Sequence, residues 1–155
     1  MYSELRQKEK KMGHAEVKAL LEATKVGRLA LSVNDEPYVV PVIFVYFNAK
    51  IFFHCAREGK KIDYLSANAR VCFEVDEFLE VKPADTPCKS TLTYRSVIAY
   101  GTAAFVDDVG EREAVLMRLM EKYGTPGHAP FDTKMLERTL IVAINVEWLT
   151  GKQSV

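Results

Sequence analysis

From Val26 to Val33 the chain alternates, with Leu29, Leu31 and Val33 on one side and Arg28, Ala30 and Ser32 on the other. A two-residue period is that of a strand with one buried face. Asn34, Asp35 and Glu36 interrupt it with turn chemistry, and Pro37 opens a run from Tyr38 to Phe47 that is almost wholly apolar or aromatic. Together the two runs predict a hairpin. Pro41 lies inside the second run and carries no N–H for a ladder, so an edge, a bulge or a kink is expected there, with backbone groups freed for a ligand. Asn48 and Ala49 form a second tight turn into a strand from Lys50 to Ala56, completing an expected three-stranded antiparallel meander.

Further along, Val71, Phe73 and Val75 alternate with Arg70, Cys72, Glu74 and Asp76, which predicts a strand from Arg70 to Val81. Thr93 to Val106 is the longest strand candidate, and Gly101 within it marks a bulge or a close backbone approach. Thr139 to Leu149 forms the last strand, followed by the polar tail TGKQSV. Helical spacing appears in three places: Val17, Leu20, Leu21 and Thr24 in His14 to Thr24; Ile62 and Leu65 in Glu58 to Asn68; Leu116, Leu119, Met120 and Tyr123 in Val109 to Tyr123. Asp107 and Asp108 are cap candidates for the third helix and Gly124 can end it. The stretches Lys82 to Thr91 and Thr125 to Thr133 are rich in turn residues and read as loops. About six strands with three helices, and connections short enough for antiparallel pairing, point to an α+β fold: a small barrel or half-barrel with helices attached.

The chain has 155 residues, the size of one domain able to bury a core without disulfides or metal. Residues 1–13 are polar and 14–155 form the expected single domain. The N-terminal stretch is neither a signal peptide nor a transmembrane helix and no apolar run spans a bilayer, so a cytoplasmic, membrane-free protein is expected. Lysine plus arginine (21) equals aspartate plus glutamate (21), so no global field draws the protein to nucleic acid and any anion preference must be local. Cys55, Cys72 and Cys88 are odd in number and widely spaced, which suggests free thiols rather than a disulfide framework or a metal site. His54 and Cys55 are neighbours in a strand and point to opposite faces, so they do not form a metal pair. His14 and His128 fall in other surface segments.

The chemistry concentrates between Ile51 and Leu65, IFFHCAREGKKIDYL, where a strand must become a helix near Gly59. The first N–H groups of a helix have no intrahelical partner and its dipole is positive there, and Lys60 and Lys61 add two charges. That turn is a candidate anion site for a phosphate, against the alternative of two solvated surface lysines. His54 lies just upstream, so a ligand with a phosphate tail and a reactive ring would touch both, although a lone strand histidine is often structural.

Five strings in this order, VGRLAL at 26–31, PYVVPVIFVY at 37–46, IFFHCAREGKKIDYL at 51–65, ANARVCFEVD at 67–76 and YRSVIAYGTA at 94–103, resemble the FMN-binding split barrel superfamily of pyridoxamine 5'-phosphate oxidase-like proteins. The likeness is greatest to the nitroimidazole-resistance (Nim) related branch. The resemblance implies a six-stranded antiparallel split barrel with flanking helices, and a homodimer with FMN in a groove between subunits. Carried onto this sequence, it implies that Lys60 and Lys61 hold the phosphate and that Pro41, Val42 and Ile43 meet the ring edge through their main chain. Ser96 and Val97 would line the cleft, His54 and Cys55 would lie near the flavin, and His54 would contact substrate or deliver a proton. Trp148, the only tryptophan, would stack on the flavin from the other subunit or else anchor the core or an interface. Arg28 would reach the phosphate or else sit on the strand surface. Cys88 matches a position that branch also uses, without a sequence signal for a nucleophile. No pyridoxal-phosphate substrate set is evident.

Two functions follow. The first is an FMN-dependent oxidoreductase that reduces a small planar acceptor, with nitroaromatic compounds leading and His54 as the catalytic residue. The second is a non-catalytic flavin binder or a haem-handling relative, in which His54 would ligate iron.

Overall fold

The computed structural model describes residues 4–124 and 131–155, and in these the apolar runs become seven strands and four helices. In chain order they are α1 (His14–Ala23), β1 (Gly27–Val33), β2 (Glu36–Val42), β3 (Val45–Phe47), β4 (Lys50–Ala56), α2 (Lys60–Ala67), β5 (Arg70–Lys82), β6 (Thr91–Phe105), α3 (Val109–Tyr123), α4 (Thr133–Arg138) and β7 (Thr139–Ser154). All pair antiparallel in one sheet of order β2-β1-β5-β6-β7-β4-β3. The α+β expectation stands, but the strands number seven rather than six. The reason is that the run after Pro37 leaves the ladder at Ile43 and Phe44 and is cut into β2 and β3. Residues 125–130, which include His128 and most of the second expected loop, lie outside the described residues.

That cut determines the architecture. β2 and β3 are the two edges of the sheet, yet they are consecutive pieces of one run, pairing with β1 at its start and with β4 at its end. The sheet therefore curls round on itself, which is the geometry of a split barrel. The expected meander is instead two hairpins, because β2 pairs with β1 and not with β4. Both hairpins close with two residues at positive φ: Asn34 (51°) and Asp35 (64°), then Asn48 (50°) and Ala49 (57°). That backbone matches the right-handed twist of the flanking strands, and Asn and Asp tolerate it best. Pro41 lies within β2 opposite Arg28, so the edge-strand option holds for it, while the kink comes two residues later.

Phe44 enters the kink with its ring buried and edge-on to Phe73, centroids 4.9 Å apart. Its backbone has left the ladder, and buried peptide groups without partners are costly. Tyr123, the last residue of α3, supplies the partner. The Phe44 N–H donates to Tyr123 Oη at 2.9 Å, and the hydroxyl donates to the Lys25 carbonyl at 2.6 Å with the Phe44 carbonyl at 3.1 Å. The break thus does not leave the Phe44 amide free for a ligand, as the proline had suggested. It is tied to α3 and to the α1–β1 link. Lys122 reinforces the same junction: Nζ donates to the Leu21 carbonyl in the last turn of α1 at 3.1 Å and lies 3.8 Å from the Phe44 ring centroid.

Two apolar cores result. Leu29, Ile51, Phe53, Val75, Val97 and Ile144 fill the inside of the sheet, closed by Leu20 and Leu21 of α1. On the other face Phe52, Ile141 and Ala143 meet Val115, Leu116 and Leu119 of α3. Successive strand residues point to opposite faces, so β4 is buried on both. Gly101 fulfils both of its expectations. The register shifts from Tyr100↔Trp148 to Gly101↔Val146, leaving Glu147 as the extra residue of a bulge. A Cβ on Gly101 would lie 2.2 Å from the Asn145 carbonyl oxygen. Glu147 turns its carboxylate to Arg70 (2.7 Å) and Thr102 (2.6 Å).

The C-terminal stretch is not a tail. β7 continues to Ser154, and the Met12 N–H donates to the Gly151 carbonyl at 3.0 Å, packing the segment before α1 on this strand. α4 was unexpected. Asp132 caps it by accepting from the Lys134 N–H at 2.9 Å, and Arg112 of α3 ties its end to β7 by donating to the Thr139 carbonyl at 2.8 Å. No described helix is long and apolar enough to cross a membrane.

Tyr123→Phe is expected to lower unfolding free energy by about 1–3 kcal/mol in denaturant titration, because it strands the Phe44 amide. Burial, assisted by the Lys25 charge, pushes Lys122 from 10.5 down to about 8. The unfolded chain therefore holds more protons between those values, and stability rises with pH across that window. Thermal melts of the wild type should climb from about pH 8 towards 10.5, and Lys122→Met should flatten that rise.

Candidate functional site

The strand-to-helix turn forms where the sequence placed it. β4 ends at Ala56, and Gly59 precedes α2 with φ 116° and ψ 168°, a conformation that disfavours any side chain. Ile62 and Asp63 both donate to the Gly59 carbonyl, at 2.8 and 3.1 Å. The N–H groups of Lys60 and Lys61 come before these first helical bonds and have no intrahelical acceptor. Space beside the glycine is open, since a Cβ there would meet nothing within 4 Å.

The two lysines are not equivalent. Lys60 Nζ lies 3.3 Å from Glu36 Oε1 and 5.0 and 5.2 Å from the ring centroids of Tyr38 and Tyr64, which stand edge-on to each other. The Glu36 hydrogen bond raises the Lys60 pKa. Glu36 itself is lowered, first by its hydrogen bond with Tyr64 and then by Lys60. Lys60 thus ties α2 to the β1–β2 hairpin, and its charge is already answered. Lys61 points the other way. Its ammonium lies 5.6 Å from the Phe53 ring centroid, and no carboxylate pairs with it among the described residues.

Lys61 is also felt by the two strand residues upstream. Desolvation is the larger cause of the lowering of His54 below its ordinary 6.5, and the Lys61 charge adds to it. The imidazole is therefore neutral at pH 7, able to donate one hydrogen bond and accept another. Burial raises the Cys55 thiol while Lys61 opposes the rise, so the thiol stays protonated and turns towards the inner core. His54 lies opposite Ile141 of β7 on the other face of β4, exposed at its rim. Extending the β3–β4 register beyond Val45↔Phe52 leads residue 43 towards His54, and Ile43 is 40% exposed there. His54, Lys61, the Gly59 turn and Ile43 thus gather at one end of the sheet. Val42 is a core residue and Pro41 is exposed on β2.

Ser96, Val97 and Trp148 are elsewhere. Phe105 of β6 lies opposite Val142, beside the His54↔Ile141 pair, and Ser96 is nine positions back along that strand. At the usual rise this is roughly 30 Å. Val97 is 1% exposed, so its side chain belongs to the core. Trp148 is half-buried with its rings 5.8 Å from Tyr100, and it lines a cleft of about 330 Å³ with Lys11, His14, Tyr46 and Thr150. Arg28 pairs with Glu74 at 3.0 Å and with Asp76, so its charge is answered on the strand surface. Cys72 is raised by burial against a hydrogen bond with Tyr100, and Cys88 is exposed in a short turn at Pro87–Lys89. Sequence reasoning missed Glu36, Tyr38 and Tyr64, which hold Lys60. Tyr64 was findable, being four residues after Lys60 on a helix, but Glu36 and Tyr38 come from a distant hairpin.

The sequence pattern of the family described as pyridoxamine 5'-phosphate oxidase matches residues 13–153. An uncharacterized protein of Rhizobium meliloti is 28% identical over 67 residues, 43% of this chain and 44% of its own length, so the match spans less than half of that relative. Among solved structures, a candidate 5-nitroimidazole antibiotic resistance protein from Bacteroides thetaiotaomicron has a TM-score of 0.78 at 23% identity, covering 92% of this chain and 86% of that one. The FAD and heme binding protein from Mycobacterium smegmatis has a TM-score of 0.82 at 21% identity, covering 94% and 73%. At such identities the likeness shows a shared fold. The family match itself runs from the residue before α1 almost to the end of β7 and so takes in the whole sheet, and the chain belongs to the pyridoxamine 5'-phosphate oxidase family of split barrels.

Proposed function

We propose that this protein is an FMN-binding oxidoreductase that reduces small planar acceptors, nitroaromatic compounds foremost, and that two copies complete the cofactor site. The observation that carries this reading is the grouping of an open helix N-terminus, an unpaired Lys61 and a neutral His54 at one end of the sheet. These residues fit a phosphate tail. Two backbone N–H groups without an intrahelical acceptor follow Gly59, where there is room, and Lys61 of the same turn carries an ammonium with no ion-pair partner among the described residues. Family membership and the FAD named for the Mycobacterium smegmatis protein support a flavin, of which FMN is our choice, and the Bacteroides thetaiotaomicron protein supports the substrate class.

A bound flavin would supply the electron transfer that side chains cannot perform. The chain's own residues bind and orient. The Gly59 turn and Lys61 hold the anionic end, and Lys60, fixed by Glu36, sets the position of α2. The exposed end of the neutral His54 imidazole donates its N–H to negative charge developing on a nitro oxygen. The separation of Ser96 and Trp148 from His54 supports a second copy, because one chain does not bring the two sets of residues together. The β5–β6 arm offers it a surface: Phe78, Val81 and Leu92 are each more than half exposed, at 60%, 53% and 52%.

Purified protein is expected to show the two visible flavin bands, to release FMN on acid treatment and to sediment as a dimer. Lys61→Met should raise the FMN dissociation constant at least ten-fold, ~1.4 kcal/mol, and Lys60→Met should raise it less. A Soret band with bound iron would favour the haem reading instead. His54→Ala should retain FMN while lowering nitroreductase kcat/KM by about 100-fold. With His54 neutral above its lowered pKa, the wild-type rate should stay level through neutral pH and change only below 6.5. Full activity in His54→Ala would remove this histidine from the mechanism.

A further inference from the structure

The Gly59 turn has two sides. Lys61 lies on the side of β4, its ammonium near the Phe53 ring, and Lys60 lies on the side of the β1–β2 hairpin. A flavin whose ring rests near His54 and Ile43 reaches the turn from the β4 side, so whatever continues beyond its first phosphate continues towards the hairpin. We propose that Glu36 is a specificity-determining residue of this site, restricting it to a flavin that ends in a single phosphate, FMN, and rejecting the diphosphate of FAD. The inference rests on the flavin reading above and names which flavin the site takes.

The hairpin meets the turn with negative charge. Glu36 opens β2 directly after Asp35 of the tight turn, and Asp35 has no ion-pair partner among the described residues. The ammonium that answers Glu36 is Lys60, 3.3 Å from its Oε1. That ammonium also lies 5.0 and 5.2 Å from the Tyr38 and Tyr64 ring centroids, so three partners hold it on the hairpin. The hydrogen bond with Tyr64, and then Lys60, keeps the Glu36 carboxyl below its ordinary value, so it is ionised at neutral pH. The hairpin is fastened to α2 at the far end as well, where Asn68 Nδ2 donates to the Ser32 carbonyl of β1 at 2.9 Å.

One phosphate suits the charges of the turn, since Lys61 and two backbone N–H groups are there to answer it. A second phosphate on the hairpin side meets a lysine already paired and the like charge of Glu36. Glutamine in place of Glu36 keeps an acceptor for Lys60 and a partner for Tyr64 but removes the charge. That substitution separates the electrostatic role from the strut.

The test is to titrate the full chain, freed of bound flavin, with FMN and with FAD while following flavin fluorescence. The wild type should bind FMN roughly ten-fold more tightly than FAD. Glu36→Gln should shrink that ratio several-fold through tighter FAD binding. Added salt should narrow the wild-type preference, because it screens the repulsion, whereas a merely structural glutamate would leave the preference level. Equal affinity of the wild type for both flavins overturns the inference, as does a preference unchanged in Glu36→Gln. Either result with FMN bound leaves the flavin reading standing, and binding of neither flavin removes both.

Discussion

The hydrogen bonds of one tyrosine hydroxyl hold the split in this barrel. The apolar run after Pro37 must serve two edges of a curved sheet, and a strand cannot do so without leaving its ladder. Where it leaves, at Phe44, Tyr123 takes up the exposed peptide and fastens it to the α1–β1 link. α3 is therefore more than a cover for the second core. Its C-terminal residues decide whether the kink is satisfied, and the Phe44 ring, locked against Phe73, communicates that kink to the inner core.

The same economy of charge governs the site. Two adjacent lysines at a helix start look equivalent, but successive helical residues point about 100° apart. Lys60 falls on the side of the Glu36, Tyr38 and Tyr64 cluster and becomes a strut. Lys61 falls on the side of Phe53, and its charge, after desolvation, still lowers the imidazole pKa of His54 on the other face of β4. In the proposed function binding and chemistry are thereby linked, because the cation proposed to hold the phosphate also helps to keep the histidine neutral.

The residues implied by family resemblance divide by position. His54, Cys55, Lys61 and Ile43 share one end of the sheet, while Ser96 and Trp148 lie far along β6 and β7. The length of β6 and β7 produces that separation within one chain, which is why the proposed function uses a second copy. The exposed apolar residues on the β5–β6 arm lie outside both cores, and they are a surface that the proposed second copy would cover.

Most strands, three helices and the Gly59 turn were legible in the sequence because each rests on a local rule. Alternation gives β1 and the first half of β5, helical spacing gives α1 and α3, and a glycine before two lysines marks the start of α2. The bulge at Gly101 was legible for the same reason. What the sequence left undecided needed partners distant along the chain. The division of the run into β2 and β3 depends on Tyr123, 79 positions from Phe44. The different fates of Lys60 and Lys61 depend on Glu36, 24 positions from Lys60. The partners of Arg28, Glu74 and Asp76, lie across a strand pair. By itself the sequence determined where most of the strands, helices and turns lie, because those preferences act over a few residues. Only the tertiary structure decided which polar groups are satisfied and which remain for a ligand, because that depends on what long-range packing places beside them.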